Sequence, residues 1–283
     1  MTPGGTSSGA GDTTWKCVRY EATAGVAIVT LDRPDRGNAW TGRMELEYRR
    51  ALSLAEDDPA VGAIVITGAG RQFCVGADRS AMAGISAAAK YDSGVREPLP
   101  EPGDPGHGAH STRHGFLLSL RKPVIAAVNG AAAGVGFVIM CFADVRFVDE
   151  TAKLTTSTSR LGLPAEFGLA WILPRLVGAS RAAPLLLGSP VITGQEAATI
   201  GLAHQACASG DTLSEAVTYA RRLVVENAPS SLQIIKRQLW TDLSASLSES
   251  DAQATTAMQL MVAGEDFAEA MAALAERRAP AYR

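Results

Sequence analysis

The sequence predicts an α/β protein with a mostly parallel central sheet, and three features of its pattern support this fold class. Continuous apolar runs, such as residues 63–67, are typical of strands buried on both faces of a parallel sheet. Segments with apolar residues at helical spacing, such as residues 40–56, separate these runs. After about Thr193 every pattern is helical, which predicts an all-α layer at the C-terminal end.

The individual elements follow in chain order. The β-branched run at residues 26–31 is predicted as the first strand, and a turn-rich segment follows it. The helix over residues 40–56 ends before Pro59. The later strands are predicted at residues 63–67, 123–128 and 145–148. The C-terminal helices are predicted at residues 195–200, 213–227, 231–239 and 266–278.

Composition divides the chain into three parts. Residues 1–14 are rich in Gly, Ser and Thr and lack an apolar core, which predicts a disordered tail rather than a signal peptide. Residues 15–192 are predicted to form the α/β core, and residues 193–283 the helical region. Within the core, residues 84–115 carry many Gly and Pro and no sustained periodicity, which predicts a long mobile loop.

Charge and cysteine usage exclude several classes of function. The net charge of -3 gives no basic surface for nucleic acid and no cluster of lysines for an anionic membrane. The longest apolar stretches are too short or too interrupted to span a bilayer. The 4 cysteines include no CxxC pair, so neither a zinc site nor a redox motif is predicted. We therefore expect a cytoplasmic protein without a metal site, nucleic-acid binding or membrane insertion.

Two glycine-containing turns are the candidate binding features. Residues 73–78 (FCVGAD) follow one predicted strand, and residues 129–136 (NGAAAGVG) follow another. Backbone N–H groups at helix N-termini carry partial positive charge, and two that converge would stabilise an enolate or a tetrahedral oxyanion. On spacing alone, two tight strand-to-helix turns remain the alternative. A dinucleotide loop is excluded because Ile139 stands where its third glycine is needed.

An ordered series of motifs resembles the crotonase superfamily, the enoyl-CoA hydratase/isomerase family. Residues 26–34 (VAIVTLDRP) resemble its opening strand, and the Asn38–Ala39 pair resembles its coenzyme A-binding turn. Two further segments resemble its oxyanion segments, namely residues 66–78 (ITGAGRQFCVGAD) and 122–136 (KPVIAAVNGAAAGVG). The resemblance continues to the C-terminal end through residues 161–168, 173–178, 193–197 and 265–267.

The resemblance implies a fold, an assembly and a set of binding residues. The backbone N–H groups of Ala77 and Val135 are implied to form an oxyanion hole for the acyl thioester oxygen. The fold implied is a crotonase-like spiral of ββα repeats with a C-terminal helical trimerisation region, assembled as a homotrimer or a dimer of trimers. Coenzyme A is part of the substrate, so no separate cofactor is expected. The residues implied to bind the coenzyme A moiety are Arg36, Gly37, Asn38, Ala39, Gly76, Asp78 and Gly134.

The chain departs from the family's hydratases at two positions. Those enzymes use two glutamates, one to activate a water molecule and one to exchange a proton with the α-carbon. The matching positions here hold Val138 and Thr158. A valine cannot transfer a proton, and a threonine hydroxyl is a poor base, so ordinary two-glutamate hydration is not expected.

Glu166 is the remaining candidate for an acid or base. The same position is acidic in branches of the superfamily that include enoyl-CoA isomerases, dienoyl-CoA isomerases and a dehalogenase. One carboxylate beside an oxyanion hole can remove an α-proton and return it to the γ-carbon, provided that apolar surroundings raise its pKa. The alternative is an acid in the first turn of a helix, after Pro164, that complements the helix dipole.

The sequence therefore predicts an enzyme of the enoyl-CoA hydratase/isomerase family that acts on a fatty acyl-CoA, with isomerisation favoured over hydration. Two alternatives stay open, a non-catalytic acyl-CoA-binding homologue and an acyl-CoA hydrolase or dehalogenase. His107, His110 and His114 lie in the Gly/Pro-rich segment and are predicted to be solvated loop residues rather than metal ligands.

Overall fold

A computed structural model describes residues 15–282, except for the side chains of Arg79, Ala81 and Ile85. The predicted disordered tail at residues 1–14 lies outside the described residues. The strands of the described chain are β1 (Val18–Thr23), β2 (Val26–Leu31), β3 (Ala63–Gly68), β4 (Gln72–Cys74), β5 (Val124–Val128), β6 (Ala131–Ala133), β7 (Val145–Asp149), β8 (Lys153–Thr155), β9 (Ile192–Thr193) and β10 (Gln205–Cys207).

Of the ten α-helices in the same part of the chain, five lie where the periodicity predicts a helix and five were not predicted. The ten are α1 (Gly42–Asp57), α2 (Arg79–Ala88), α3 (Val135–Phe142), α4 (Leu169–Val177), α5 (Ala179–Gly188), α6 (Gly194–Thr199), α7 (Thr212–Glu226), α8 (Pro229–Thr241), α9 (Leu247–Met261) and α10 (Glu265–Glu276). None of the helices in residues 15–282 is both long enough and apolar enough to cross a membrane.

The strands form two sheets, and most neighbouring strands within each sheet are parallel. The larger sheet has six strands in the order β1-β2-β3-β5-β7-β10, and only its β1–β2 pair is antiparallel. The smaller sheet has the order β4-β6-β8-β9, with β4, β6 and β8 parallel and β9 antiparallel to β8. The prediction of an α/β core with a mostly parallel sheet is confirmed.

Both faces of the larger sheet are covered, as the continuous apolar runs predict. All six residues of β3 are buried. Val65 belongs to the apolar cluster that includes Ala216 and Ala220 of α7, whereas Ile64 and Ile66 belong to the cluster that includes α1, α3 and α4. Burying an isoleucine side chain fully contributes about 1.5–3 kcal/mol, so the two-sided burial of β3 is a large part of the core's stability.

The chain is not wholly helical after Thr193, and that part of the prediction is wrong. β10 (Gln205–Cys207) pairs in parallel with β7 at the edge of the larger sheet, and α7 packs on the same sheet. A three-residue strand is too short to show an alternating pattern, so its pairing depends on the neighbouring strand. The boundary predicted between residues 192 and 193 is not tested by this packing and stays a prediction.

The C-terminal helices differ in how firmly they join the core. Lys236 of α8 donates to the backbone carbonyls of Leu117 and Lys122 and forms an ion pair with Asp144, at 2.8 Å. The indole Nε1 of Trp240 donates to the same carboxylate. By contrast, α9 has no buried residue among its fifteen. Its large apolar side chains, including Leu247, Met258 and Leu260, are exposed.

The segment that follows α2 has no regular structure over the range from residue 89 to residue 114. It nevertheless packs on α1. The Arg49 guanidinium donates to the carbonyl oxygens of Pro100 and Arg113, at 3.1 and 2.7 Å. At Gly42, a Cβ atom would stand 2.1 Å from the carbonyl of Gly94, so only glycine permits this approach. The mobility predicted for residues 84–115 stays a prediction.

Candidate active site

The two predicted oxyanion turns lie side by side because the strands that precede them are paired. β4 runs parallel to β6, with Gln72 opposite Ala131 and Cys74 opposite Ala132. Each strand then leads into its turn at the same end of the sheet. Gly76 has φ 98° and Gly134 has φ 49° with ψ -117°, conformations that favour glycine. A Cβ atom on Gly134 would lie 3.8 Å from the Gly76 Cα, so the two turns are in contact.

The backbone N–H groups of Ala77 and Val135 have no hydrogen-bond partner among residues 15–282. The backbone of Trp40 forms hydrogen bonds with the two residues that flank Ala77. The Trp40 N–H donates to the Gly76 carbonyl at 2.7 Å, and the Asp78 N–H donates to the Trp40 carbonyl at 3.0 Å. Val135 is the first residue of α3, where an N–H has no partner within its own helix. The two predicted donors therefore stand on adjacent turns with free N–H groups.

Close packing between α3 and β4 holds the second turn in place. A Cβ atom on Gly136 would stand 2.1 Å from the carbonyl oxygen of Cys74, so any side chain there would push the helix away from the strand. The N–H of Gly134 donates to the carbonyl of Thr155, at 3.3 Å, which ties the turn to β8 as well. The N-terminus of α3 is thus fixed from both sides.

The predicted coenzyme A turn, residues 36–39, contacts the first oxyanion turn. The N–H of Val75 donates to the carbonyl of Gly37 at 3.1 Å. Asn38 is fully buried, and its side chain is occupied by the backbone: it donates to the carbonyls of Ala69 and Gln72 and accepts from the N–H of Arg33. Asn38 therefore shapes the turn with its side chain.

Arg33 joins the two turns, and the sequence analysis missed this role. Its guanidinium donates to the carbonyl of Ala39 at 2.6 Å and to the carboxylate of Asp78 at 3.0 Å. The Ser80 hydroxyl donates to Asp78 and is the largest influence lowering the pKa of that carboxyl, and the Arg33 contact adds to it. Asp78 is consequently an ionised turn residue. The side chain of Arg36 is exposed.

The two positions that the sequence analysis matched to the hydratase glutamates, Val138 and Thr158, are buried. Val138 lies one helical turn after the start of α3, and its N–H donates to the Gly134 carbonyl at 2.9 Å. Thr158 follows the β8 segment that binds Gly134, and its carbonyl accepts from Leu161 and Leu163. Both side chains are less than 5% exposed. Val138 is thus bonded to the second turn, and neither position supplies a carboxylate.

Glu166 lies in the short 3-10 helix Glu166–Gly168, immediately before α4. Burial raises the pKa of its carboxyl above the ordinary value, and the Arg113 guanidinium opposes part of that rise. The carbonyl of Glu166 accepts from the N–H of Leu169, whereas its side-chain carboxylate makes no hydrogen bond within the described part of the chain. Glu166 stands in the first turn of this 3-10 helix, so the alternative of an acid that complements a helix dipole stays a prediction.

An aromatic wall connects the two halves of the site, and it was not predicted. It consists of Trp40, Tyr48, His114 and Phe167. The ring centroids of Trp40 and Tyr48 are 5.4 Å apart, those of Trp40 and His114 are 5.6 Å apart, and those of His114 and Phe167 are 5.0 Å apart. Trp40 pairs with Ala77, and Phe167 follows Glu166, so the aromatic wall runs from the first oxyanion turn to the candidate base.

Charged residues lie behind the aromatic wall. Arg113 forms an ion pair with Glu45 of α1, and its guanidinium lies over the ring of Phe167, 5.4 Å from the centroid. Glu45 and Arg49 are among the charged residues of α1 that the fold buries. Pairing them with a residue more than sixty positions away requires the folded structure.

The prediction that the loop histidines are solvated is wrong. His114 is 2% exposed, and His107 and His110 are both partly buried. Their burial comes from contacts that the Gly/Pro-rich pattern does not show, above all the rings of Trp40 and Phe167 against His114. Within residues 15–282, no group of His, Cys, Asp and Glu side chains is arranged to hold a metal ion.

Comparisons with known proteins agree with this architecture. The family model described as enoyl-CoA hydratase/isomerase matches residues 21–283. "Probable enoyl-CoA hydratase EchA12" of Mycobacterium tuberculosis strain H37Rv is 33% identical over 265 residues, which cover 91% of this chain and 89% of the relative. "Probable enoyl-CoA hydratase" of Rhodobacter capsulatus is 34% identical over 271 residues, which cover 94% of this chain and 97% of the relative.

Solved structures show the same fold. The crystal structure of an enoyl-CoA hydratase from Polaromonas sp. JS666 has a TM-score of 0.81 and 30% identity, and the match covers 94% of this chain and 99% of that one. A probable enoyl-CoA hydratase/isomerase from Mycobacterium abscessus has a TM-score of 0.81 and 32% identity, covering 94% and 98%. The predicted crotonase-type fold is confirmed, and the chain belongs to the enoyl-CoA hydratase/isomerase family as an enzyme of that family.

Proposed function

We propose that the chain binds an acyl-CoA thioester and moves a double bond along its acyl group, with Ala77 and Val135 as the oxyanion hole and Glu166 as the base. The observation that carries the proposal is the arrangement of two free N–H groups and one half-buried carboxylate around the aromatic wall. The predicted hydratase positions, Val138 and Thr158, supply no second carboxylate.

The reaction needs one base that acts twice. The Glu166 carboxylate removes a proton from the α-carbon of a 3-enoyl thioester, and the electron pair moves onto the thioester oxygen to form a dienolate. The N–H groups of Ala77 and Val135 stabilise the negative oxygen; removing one donor of this kind typically costs about a hundredfold to a thousandfold in rate. The protonated Glu166 then returns the proton at the γ-carbon, which leaves a conjugated 2-enoyl thioester.

The raised pKa of Glu166 suits this exchange. A base whose pKa lies nearer to neutrality both accepts and returns a proton more readily than an ordinary carboxylate. Burial provides the rise, and the Arg113 guanidinium opposes part of it. No separate cofactor takes part in this scheme, and the coenzyme A moiety of the substrate lies along the turn at residues 36–39.

One assay with two substrates distinguishes isomerisation from hydration. The wild-type protein is incubated with a 3-enoyl-CoA and, separately, with the trans-2-enoyl-CoA of equal length, while the absorbance of the conjugated thioester is followed. Isomerisation raises the absorbance of the first mixture, whereas hydration lowers that of the second. We expect a rise with the first and little change with the second. Rapid loss of absorbance with the trans-2-enoyl-CoA would contradict the proposal.

We also propose that the chain assembles as a homotrimer or a dimer of trimers through its C-terminal helices. The exposed apolar side chains of α9 and α10, including Leu260 and Leu274, support an interface on these helices. Light scattering on the eluted protein is expected to give three or six times the mass of the chain, and Leu260→Glu is expected to lower that mass. A monomeric wild-type protein would contradict this assembly.

A further inference from the structure

Three polar atoms of the aromatic wall are buried without a hydrogen-bond partner in the described chain. They are Nε1 of Trp40, the hydroxyl oxygen of Tyr48 and Nε2 of His114. The residues that carry them are only 5%, 1% and 2% exposed. A buried polar group that stays unpaired destabilises the folded chain. The three atoms belong to neighbouring rings of the aromatic wall, which indicates a site where a bound ligand supplies their hydrogen-bond partners.

The position of these atoms relates them to the acyl part of a substrate. The backbone of Trp40 flanks Ala77, the first predicted oxyanion donor. His114 contacts Phe167, the neighbour of Glu166, with ring centroids 5.0 Å apart. An acyl group that reacts between Ala77 and Glu166 therefore lies against the aromatic wall. The three unpaired atoms belong to the rings of that wall.

The chemistry of the three groups selects the kind of partner. The indole Nε1 is a donor only, so it requires an acceptor atom. Burial raises the pKa of Tyr48, which keeps its hydroxyl protonated and able to donate. Burial also lowers the pKa of His114 to about 3, and the Arg113 and Arg49 guanidiniums add to the fall, so its ring is neutral. The three groups that lack a partner are therefore uncharged, and a neutral oxygen can pair with them without burying a further charge.

We propose, resting on the acyl-CoA function above, that the acyl group carries a neutral oxygen, as a ketone, ether or hydroxyl, that accepts hydrogen bonds from Trp40 and Tyr48. A plain hydrocarbon chain would leave all three polar atoms unpaired. The atoms are shielded from solvent in the free chain, and residues 94–100 cover α1 at Gly42 and Arg49.

Unreactive esters test the inference apart from the reaction. Saturated acyl-CoAs of six to ten carbons are compared by calorimetry with partners in which one methylene is replaced by a ketone, at each position in turn. At least one ketone ester is expected to bind tenfold or more tightly than its parent, which corresponds to about 1.4 kcal/mol. Equal affinity across every pair would overturn the inference and leave the proposed function standing. Absence of binding by every ester would count against both.

Two conservative variants assign the effect to the aromatic wall. Trp40→Phe and Tyr48→Phe keep an aromatic ring and remove the donor. Each is expected to reduce the preference for the ketone, measured against the hydrocarbon parent on the same variant, to less than threefold. Tyr20→Phe on β1 serves as the control and should keep the preference. A preference that survives in both variants would overturn the assignment.

A stability measurement covers the case in which a variant folds poorly. Tyr48→Phe removes an unpaired buried hydroxyl, so its midpoint of thermal unfolding should equal or exceed that of the wild type. A clear fall in that midpoint would mean that the hydroxyl is already paired in the free protein, and it would overturn the inference.

Discussion

The guanidinium carbon of Arg113 lies 5.4 Å from the centre of the Phe167 ring, next to the half-buried carboxylate of Glu166. The other side of Arg113 is occupied by Glu45. Two opposing effects act on the pKa of Glu166, the candidate base: burial raises it, and the Arg113 guanidinium lowers it. Arg113 is thus a positioning residue for the proposed chemistry.

Replacing Arg113 should move the acid limb of the pH–rate profile. A base works only when deprotonated, so activity is lost as pH falls through its pKa. Arg113→Met removes the positive charge that lowers the pKa of Glu166, so this pKa rises further. As pH is lowered, the variant is therefore expected to lose activity at a higher pH than the wild type. The pH dependence of kcat/KM for a 3-enoyl-CoA measures this.

The double variant Glu45→Gln with Arg113→Met is the matched control. It avoids leaving a buried Glu45 without its partner, which by itself would be strongly destabilising. The two variants should show the same shift of the acid limb. A shift toward lower pH in either one would contradict the account of how Arg113 acts on Glu166.

The burial of His114 should make stability depend on pH in the acidic range. Its pKa is lowered to about 3 in the folded chain from an ordinary 6.5, so between these values the unfolded chain binds the extra proton. Stability contributed by the neutral ring is present above pH 6.5 and is lost as pH falls. From pH 7 to 5 the loss amounts to about 2 kcal/mol.

Urea unfolding at the two pH values measures this loss. The difference between the free energies of unfolding at pH 7 and pH 5 should be smaller by about that amount in His114→Gln than in the wild type. Equal differences in the two proteins would show that His114 is not buried in its neutral form.

Gly136 tests whether the position of the α3 N-terminus matters to the chemistry. In Gly136→Ala the new methyl group would stand 2.1 Å from the Cys74 carbonyl oxygen, so α3 must move and carry the Val135 N–H with it. We expect kcat to fall at least tenfold, together with a loss of stability of about 1–3 kcal/mol.

Gly84→Ala in α2 is the matched control for this substitution. A Cβ atom at Gly84 meets nothing within 4 Å, so the same change should leave kcat unaltered and the stability equal or slightly higher. Unchanged kcat in Gly136→Ala would contradict the role assigned to the second turn.

The sequence predicted those features that depend on local pattern. The two-sided burial of β3, the helical face of α1 and the two glycine turns all follow from residues close together in the chain. The short strands β4, β6 and β8, three residues each, were missed because so few residues show no periodicity. Their parallel pairing, which brings the two turns into contact, depends on the folded chain alone.

The aromatic wall was missed for a different reason. Trp40 and Tyr48 have the spacing of ordinary core residues, and His114 lies in a segment whose Gly and Pro content indicates a loop. Their contacts join positions far apart in the sequence, and only the fold shows that they meet. The ion pair of Glu45 with Arg113 was hidden in the same way.

The role of Glu166 is the central claim, and one variant tests it most directly. Glu166→Gln keeps the size of the side chain and removes the base, so the rate of conversion of a 3-enoyl-CoA should fall by about a hundredfold or more. The affinity for an unreactive saturated acyl-CoA, measured by calorimetry on the same preparation, should stay within twofold of the wild type. A variant that isomerises the 3-enoyl-CoA at the wild-type rate would contradict the account.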